Sequence, residues 1–481
     1  MLNITENNLY HRLEFDNPWW AFTDETQISF RTPTRRAFSP AFQKQLKSCG
    51  QGRMMALVGP LRAGKTVMMR QAVASLIEGG ASPQSIFYCN LTTPSYTAVG
   101  LTALFDMFCN HHDHGEGQDD DHELYVFYDE AQYIRGWEIE ALDLAKRHPN
   151  VRFVTAVSAG APSLVSETQC HDGRMQIFVL PPLTFPEFLR FRDTENQLFD
   201  FDKPGKSKTT GTGNVAIKHG ALSQLNAEFH RYINFGGFLE GVLGQQQKGA
   251  PAPMFIRDGV ADRVLHKDLA GMHGVNDAQE LNKLFGLLAF NTGAEVSMDD
   301  LARTVGIAKN TVRKYLDYLE SAFLIRRVAR VDRDAKRFQR AVAFKVYLTS
   351  PCLYSALFGP VAPNDPVFPR LAETALVSQW LGASSVNELA YASWRGGAID
   401  LMAMNADSDK PERIYELDWL NEYGSASHKP EGLVNFIERN NKDAHPYILT
   451  RTIARQGRMR GTEITLSPLA LYCYWLGRGS S

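Results

Sequence analysis

The stretch RMMALVGPLRAGKTVMMRQAVASL (53–76) constrains the fold of this chain more than any other. The apolar run Met54 to Val58 reads as a short buried strand. Gly59-Pro60-Leu61-Arg62-Ala63-Gly64-Lys65-Thr66 fits G-x-x-x-x-G-K-[ST], and a helical pattern follows from Thr66. Gly59 and Gly64 let the backbone curl so that its N–H groups face an anion at a helix N-terminus. Lys65 is placed to reach the terminal phosphates of ATP, and the Thr66 hydroxyl to ligate Mg²⁺. All eight residues from Gly59 to Thr66 are therefore expected to touch the nucleotide.

A loop of this kind needs an acidic partner at the end of another buried strand, and LYVFYDE (124–130) supplies one. Asp129 is expected to hold the Mg²⁺ and Glu130 to polarise the attacking water. A third strand, VRFVTAVSAG (151–160), offers Ser158, or less favourably Thr155, as a sensor of the γ-phosphate. Positive charge for the transition state comes from an arginine, often a neighbour's. Arg62, Arg135 and Arg174 are candidates that the sequence does not rank; Arg174 is taken with Glu130, Lys65 and Ser158 as the catalytic set. HHDHGEGQDDDHE (111–123) has no apolar frame to fix metal ligands and reads as a hydrated loop.

Length and composition set the remainder. The 481 residues imply two to four domains. A net charge of -2 gives no global bias, so contact with nucleic acid requires a local patch. The six cysteines include no Cys-x-x-Cys pair, which suits a reducing, cytoplasmic setting. No run of eighteen uncharged apolar residues suggests a membrane span.

Past residue 190 the text changes character. FDFDKPGKSKTTGTGNVAIKHG (199–220) has no apolar period and reads as an insertion in a helical lid, and QQQKGAPAP (245–253) as a hinge. Ser297-Met-Asp-Asp300 is an S-x-x-D cap opening a short helix. Gly306-Ile-Ala makes a turn, and the next helix carries Val312, Tyr315, Leu316, Leu319 and Phe323 on one face. This is helix-turn-helix grammar, followed by an alternating segment suited to a wing hairpin. Lys309 and Arg313 on the helix, with Arg326, Arg327 and Arg330 after it, are the candidates for contact with double-stranded DNA; docking on a protein stays open beside it.

Taken together these residues resemble the bacterial and archaeal AAA-type ATPases that end in a restriction-nuclease-like domain. Asn17-Pro-Trp-Trp20, Arg35-Arg36, GPLRAGKT, DEAQYIRGWE (129–138), GRMQIFVLPPLTFPEFL (173–189) and INFGGFLEG (233–241) carry the likeness. The resemblance implies an α/β architecture in five parts. These are an N-terminal segment (1–45), a P-loop ATPase core (46–190), a helical lid (191–280), a winged helix (281–350) and a small nuclease-like domain (351–481).

In the last part the order helix-Glu373, strand-Asp400, strand-Glu416 resembles the PD-(D/E)XK core, in which three carboxylates gather on Mg²⁺. IYELDWL (414–420) departs from that pattern. Two residues after Glu416 stands Asp418 where the pattern has lysine, and it adds negative charge where a cation belongs. Lys429 is a remote substitute. The expectation is an ATP-dependent switch that couples ATP state to DNA or protein recognition, its terminal domain not cutting. An ATP-gated nuclease and a non-hydrolysing ATP-bound module are the alternatives, and a homo-oligomer stays open.

Overall fold

The computed structural model describes residues 5–21, 34–112, 123–158, 173–201, 215–244, 252–265, 278–338, 343–382, 388–395, 397–405, 408–419 and 431–479. They form two compact units, residues 1–180 and 181–481.

The first unit is built on five parallel strands: β1 (Met54–Val58), β2 (Ile86–Asn90), β3 (Leu124–Asp129), β4 (Val151–Val157) and β5 (Met175–Val179). Their order across the sheet is β2-β3-β4-β1-β5. Parallel neighbours need long crossovers, which here carry helices. Helices α1 (Glu6–Asp16), α2 (Ser39–Ser48) and α3 (Lys65–Glu78) belong to this unit. Phe42 and Leu46 of α2 and Met68, Met69, Ala72 and Val73 of α3 bury one sheet face with Met55, Leu57, Val154, Ala156 and Phe178. The register aligns Val58 with Val157 and Asn90 with Asp129. Gly59, Asn90, Asp129 and Ser158 therefore emerge at one edge, the carboxyl end of the sheet, where α/β proteins bind ligands.

The Asn-Pro-Trp-Trp segment has a definite task. β2 is an outer strand, and an outer strand presents unpaired backbone groups. The Asn17 side-chain amide donates to the Tyr88 carbonyl at 2.8 Å, and its oxygen accepts the Tyr88 N–H at 2.7 Å. The indoles of Trp19 and Trp20 both donate to the Ile86 carbonyl, at 3.0 and 2.9 Å. Three side chains thus replace a sixth strand.

The second unit opens with a short helix, Phe185–Phe191, started by a capping box between Thr184 and Glu187. The pair β6 (Phe199–Asp200) and β7 (Ala216–Ile217) follows, then the helix Leu222–Phe235. Gly237, at φ +83°, passes so close to Ser350 that a Cβ would stand 2.1 Å from its Oγ, which explains the glycine in INFGGF. The segments 202–214 and 245–251, and with them most of the insertion and hinge read from sequence, lie outside the described residues, as does Lys429.

The helix Met298–Val305 is capped by Ser297, whose Oγ accepts the Asp300 N–H at 3.1 Å, and it ends at Gly306 with φ +89°. The helix Lys309–Ser321 follows, with Val312, Tyr315, Leu316 and Leu319 buried. Strand β8 (Glu295–Ser297) precedes these two helices, and β9 (Ile325–Val331), β10 (Ala343–Leu348), β11 (Leu389–Trp394) and β12 (Gly397–Met404) follow them. The remaining four are β13 (Pro411–Asp418), β14 (His445–Thr450), β15 (Arg455–Met459) and β16 (Thr462–Pro468). All nine join one sheet in the order β15-β16-β14-β13-β12-β11-β9-β10-β8. The expected boundary at residue 350 therefore falls inside a continuous sheet. β9 pairs with β10 on one side and, in parallel, with β11 on the other, Ala329 opposite Ala390. The segment expected to form a wing hairpin does pair on itself, β9 with β10, and its first strand is interior as well, because β11 adds a second ladder on the far side.

Candidate functional site

The loop between β1 and α3 is shaped by close approach. A Cβ on Gly59 would lie 2.2 Å from the Leu180 carbonyl oxygen, and Gly64 sits at φ +95°. No side chain caps α3, so its first N–H groups stay available to an anion. Lys65 is buried, and its Nζ donates to the carbonyls of Gly59 and Pro60 at 3.0 and 2.9 Å. From behind, the Arg36 guanidinium donates to the Ala63 carbonyl and Arg35 to Ser75 Oγ.

Asp129 is the centre of the site. Its Oδ2 accepts from Thr66 Oγ1 at 2.7 Å, Tyr88 OH at 2.8 Å and Asn90 Nδ2 at 3.2 Å. Its Oδ1 is buried with no hydrogen-bond partner. Burial, first, and the neighbouring Glu130 push the Asp129 carboxyl above its ordinary pKa, against the pull of Thr66 and Tyr88. A carboxylate with one saturated oxygen and one orphaned oxygen, bonded to a threonine hydroxyl, fits a divalent cation beside Thr66.

Glu130 stands at φ +57°, a conformation that non-glycine residues adopt at a cost of roughly 1–2 kcal/mol. Its carboxylate accepts from Ser158 Oγ at 2.9 and 3.0 Å to its two oxygens, and from the Gln132 amide. Ser158 therefore meets Glu130 directly. Thr155, buried within β4, has an Oγ1 with no partner.

Arg174 stands apart from the other residues of the expected catalytic set. It precedes β5, and its carbonyl accepts the N–H of Met54 at the start of β1. The loop leaves the other end of β1, five residues and roughly 16 Å away along the strand. Arg174 thus belongs to the opposite edge of the sheet from its own P-loop. Arg62 and Arg135 are exposed. Tyr88, Asn90 and Arg36 were not read as site residues. A polar residue ending β2 beside the acidic pair was the available signal for Asn90, while Tyr88 passes for ordinary core.

In the second unit the three carboxylates do not assemble. Glu373, on the helix Phe368–Ser378, accepts from Lys345 Nζ at 3.0 Å and Tyr347 OH at 2.5 Å. Lys345 also donates to the Asp400 carbonyl at 3.1 Å. A bulge between the pairs Ala390–Met402 and Ala392–Ile399 sets both Asp400 and Leu401 opposite Tyr391. Asp400 lies close enough to raise the Glu373 carboxyl, whose pKa is already pushed up by burial and drawn down by Lys345.

Glu416 pairs with Ile448, and Ile414 and Ile448 pack with Leu433 and Ile437 of the helix Glu431–Asn440. Tyr415, on the alternate face, meets Trp380, just past the Glu373 helix. Strand alternation therefore sends Glu416 and Asp418 to the face away from Glu373. Among the described residues no three His, Cys, Asp or Glu side chains come together as a metal site. The expected Glu373–Asp400–Glu416 cluster is corrected accordingly, and Lys345 is the half-buried ion-pair partner of Glu373.

The residues proposed for DNA divide. Arg327 pairs with Asp317 at 2.8 Å and with Glu320, and Arg330 bonds the Ser393 carbonyl at 2.6 Å and faces Glu295 at 3.6 Å. Arg326 shares the interior strand with them, half-buried, and burial lowers its pKa. Lys309 pairs with Asp299, and Arg313 is exposed.

Residues 51–189 match the family model of an AAA domain, and residues 226–363 that of a domain of unknown function. The first match includes the loop Gly59–Thr66 and the Asp129–Glu130 pair. An uncharacterized protein of Haemophilus influenzae is 26% identical over 292 residues, a match covering 59% of this chain and 64% of the relative. The chain thus spans less than two thirds of that relative's length. Similar solved structures include Aeropyrum pernix ORC1 in complex with DNA, at 14% identity and TM-score 0.32, covering 73% of this chain and 97% of that one. AMPPCP-bound DnaA from Aquifex aeolicus matches at 12% identity and TM-score 0.28, over 59% of this chain and 85% of that one. C. elegans PCH-2 gives 13% and 0.25, over 45% and 56%. Scores of this size do not establish a shared overall fold. No described helix is long and apolar enough to cross a membrane.

Proposed function

We propose that the chain is an ATP-binding and ATP-hydrolysing switch of AAA type, coupling ATP state to recognition of DNA or protein by its second unit. One observation carries the reading: Asp129 is buried with Oδ2 saturated by Thr66, Tyr88 and Asn90 and Oδ1 orphaned. Mg²⁺ would be held by the Thr66 hydroxyl and Asp129, and when bound would neutralise phosphate charge. The P-loop N–H groups and Lys65 would hold the phosphates, Lys65 leaving the Gly59 and Pro60 carbonyls to do so.

Glu130 is the base that would orient and deprotonate the attacking water. Ser158 and Gln132 donate to its oxygens and fix the carboxylate, which keeps acceptor sites for a water. Ser158, at the end of β4 between β3 and β1, is suited to hold Glu130 towards the phosphate end of the loop. In the second unit a winged helix (281–350) and a degenerate nuclease-like domain (351–481) are the recognition elements. That reading is supported by the turn at Gly306 and by the Lys345–Glu373 pair standing where a metal would need free carboxylates.

The test is ATP binding and turnover by wild type and Glu130→Gln. The variant is expected to bind ATP as wild type does and to lose turnover by about 10²–10⁴-fold. Undiminished turnover in Glu130→Gln would overturn the hydrolytic reading; binding without turnover in both proteins would favour a static ATP-bound module.

A further inference from the structure

The arginines that sequence assigned to DNA are largely consumed inside the sheet, and a different set lies exposed along its outermost strand. Residues 451–461, RTIARQGRMRG, hold four arginines and no acidic residue. They form the outermost strand, β15, and the turn into β16. Arg451, Arg455, Arg458 and Arg460 are all exposed, and from Arg455 to Arg458 every residue is exposed. A strand covered by a helix would be buried at alternate positions. β15 instead projects as a ribbon, open to solvent on both faces. The carboxylate of the hairpin is Glu463, opposite Arg458.

Arg458 donates to the Gly461 carbonyl at 3.1 Å, and Arg460 to the Asn435 side-chain oxygen at 2.8 Å. Both partners are neutral, so these two bonds fix the guanidiniums in place without themselves cancelling the charge. Arg327, Arg330, Arg337 and Arg439, by contrast, each face a carboxylate. The turn adds a second, independent sign. Met459 pairs with Thr462, so Arg460 and Gly461 are the whole loop, at φ +48° and +87°. A two-residue loop with both φ positive favours Asn, Asp or Gly at its first position. An arginine stands there against the backbone's preference, at the tip of the ribbon.

We infer that the β15–β16 hairpin is the surface by which the second unit holds duplex DNA, through the phosphates. Arg455 and Arg458 are three residues apart, which sends them to opposite faces of the ribbon, with Arg460 at its tip. A two-stranded ribbon fits the major groove, whose two walls are phosphate backbones. Guanidiniums on both faces meet both walls. This names the polymer and the surface within the proposed switch, and it does not depend on hydrolysis.

The experiment is fluorescence anisotropy of a labelled duplex of about two helical turns against the full chain, across a salt series. Wild type, Arg458→Ala/Arg460→Ala, Arg458→Lys/Arg460→Lys and Arg313→Ala are compared, each checked for wild-type melting and ATP turnover. Losing two phosphate contacts should flatten the slope of log K against log salt by about 1.8 and weaken binding at low salt by tens of fold. The lysine pair should keep the slope.

Unchanged slope and affinity in the alanine pair would overturn the inference. So would loss confined to Arg313→Ala, absence of salt-dependent binding by wild type, or preference for poly-glutamate over DNA. Glu130→Gln protein should bind duplex as wild type does, so failure of the hydrolytic reading and failure of this one are told apart.

Discussion

Replacing Asp129 with asparagine should separate a carboxylate kept for a cation from one kept for the fold. Asparagine retains an oxygen to accept from Thr66, Tyr88 and Asn90. Its NH₂ takes the place of Oδ1, which has no partner. Leaving that group unsatisfied costs about 1–3 kcal/mol. Against this, a buried charge next to Glu130 is removed, and that charge is disfavoured, since the Asp129 pKa lies above its ordinary value. The two effects oppose each other, so ligand-free stability at pH 8 should change by about 1 kcal/mol or less, roughly 2–4 °C in melting temperature for a unit of this size.

Asp129 has its pKa raised on folding, so wild-type stability is favoured below the unfolded value and falls as pH rises through the folded one. The asparagine variant should lack that slope. Mg²⁺ with ATP at a hundredfold excess over Kd should stabilise wild type by about 2.7 kcal/mol and the variant far less. Differential scanning fluorimetry at pH 5 and pH 8, with and without Mg²⁺ and ATP, reads all of this. A ligand-free loss of several kcal/mol at pH 8, or full Mg²⁺-dependent stabilisation of the variant, would refute the reasoning.

Two further outcomes are expected. Lys345→Met leaves Glu373 buried without its cation, a loss of about 3–5 kcal/mol at pH 8. Because burial raises the Glu373 pKa, the loss should shrink towards pH 5 as the carboxyl takes a proton; urea unfolding at both pH values checks this, and a pH-independent loss would count against it. Asn17→Ala strips both bonds from the Tyr88 backbone at the outer strand, for a loss of about 2–4 kcal/mol and light scattering from sheet-edge association. A urea midpoint equal to wild type would show the edge to be held by the indoles alone.

What the sequence made legible was what local chemistry dictates. Gly59 and Gly64 announce a backbone path that side chains would block, and Asp129 and Glu130 announce themselves by closing an apolar strand. The cap at Ser297 and the turn at Gly306 are likewise local. What escaped was decided by neighbours distant in sequence. Whether Arg326, Arg327 and Arg330 face solvent depends on β11, some sixty residues later, joining β9. Asp400 is turned towards Glu373 by a bulge that leaves no composition signal, and Glu416 is sent to the face away from Glu373 by a strand period that sequence shows but cannot assign to a face. Lys345 carries no local sign of Glu373, the carboxylate 28 residues later with which it pairs.

The nine-stranded sheet has a consequence for inheritance. The matched domain of unknown function stops at residue 363, with β11 to β16 still to come. Cutting the chain there would strip the ladder from Ala329 to Val331 and turn an interior strand into a raw margin. Neither half can therefore be traded between proteins as a cassette without mending that seam. A lineage that exchanges the terminal part must also rewrite β9, so substitutions along the two sides of the β9–β11 ladder should travel together.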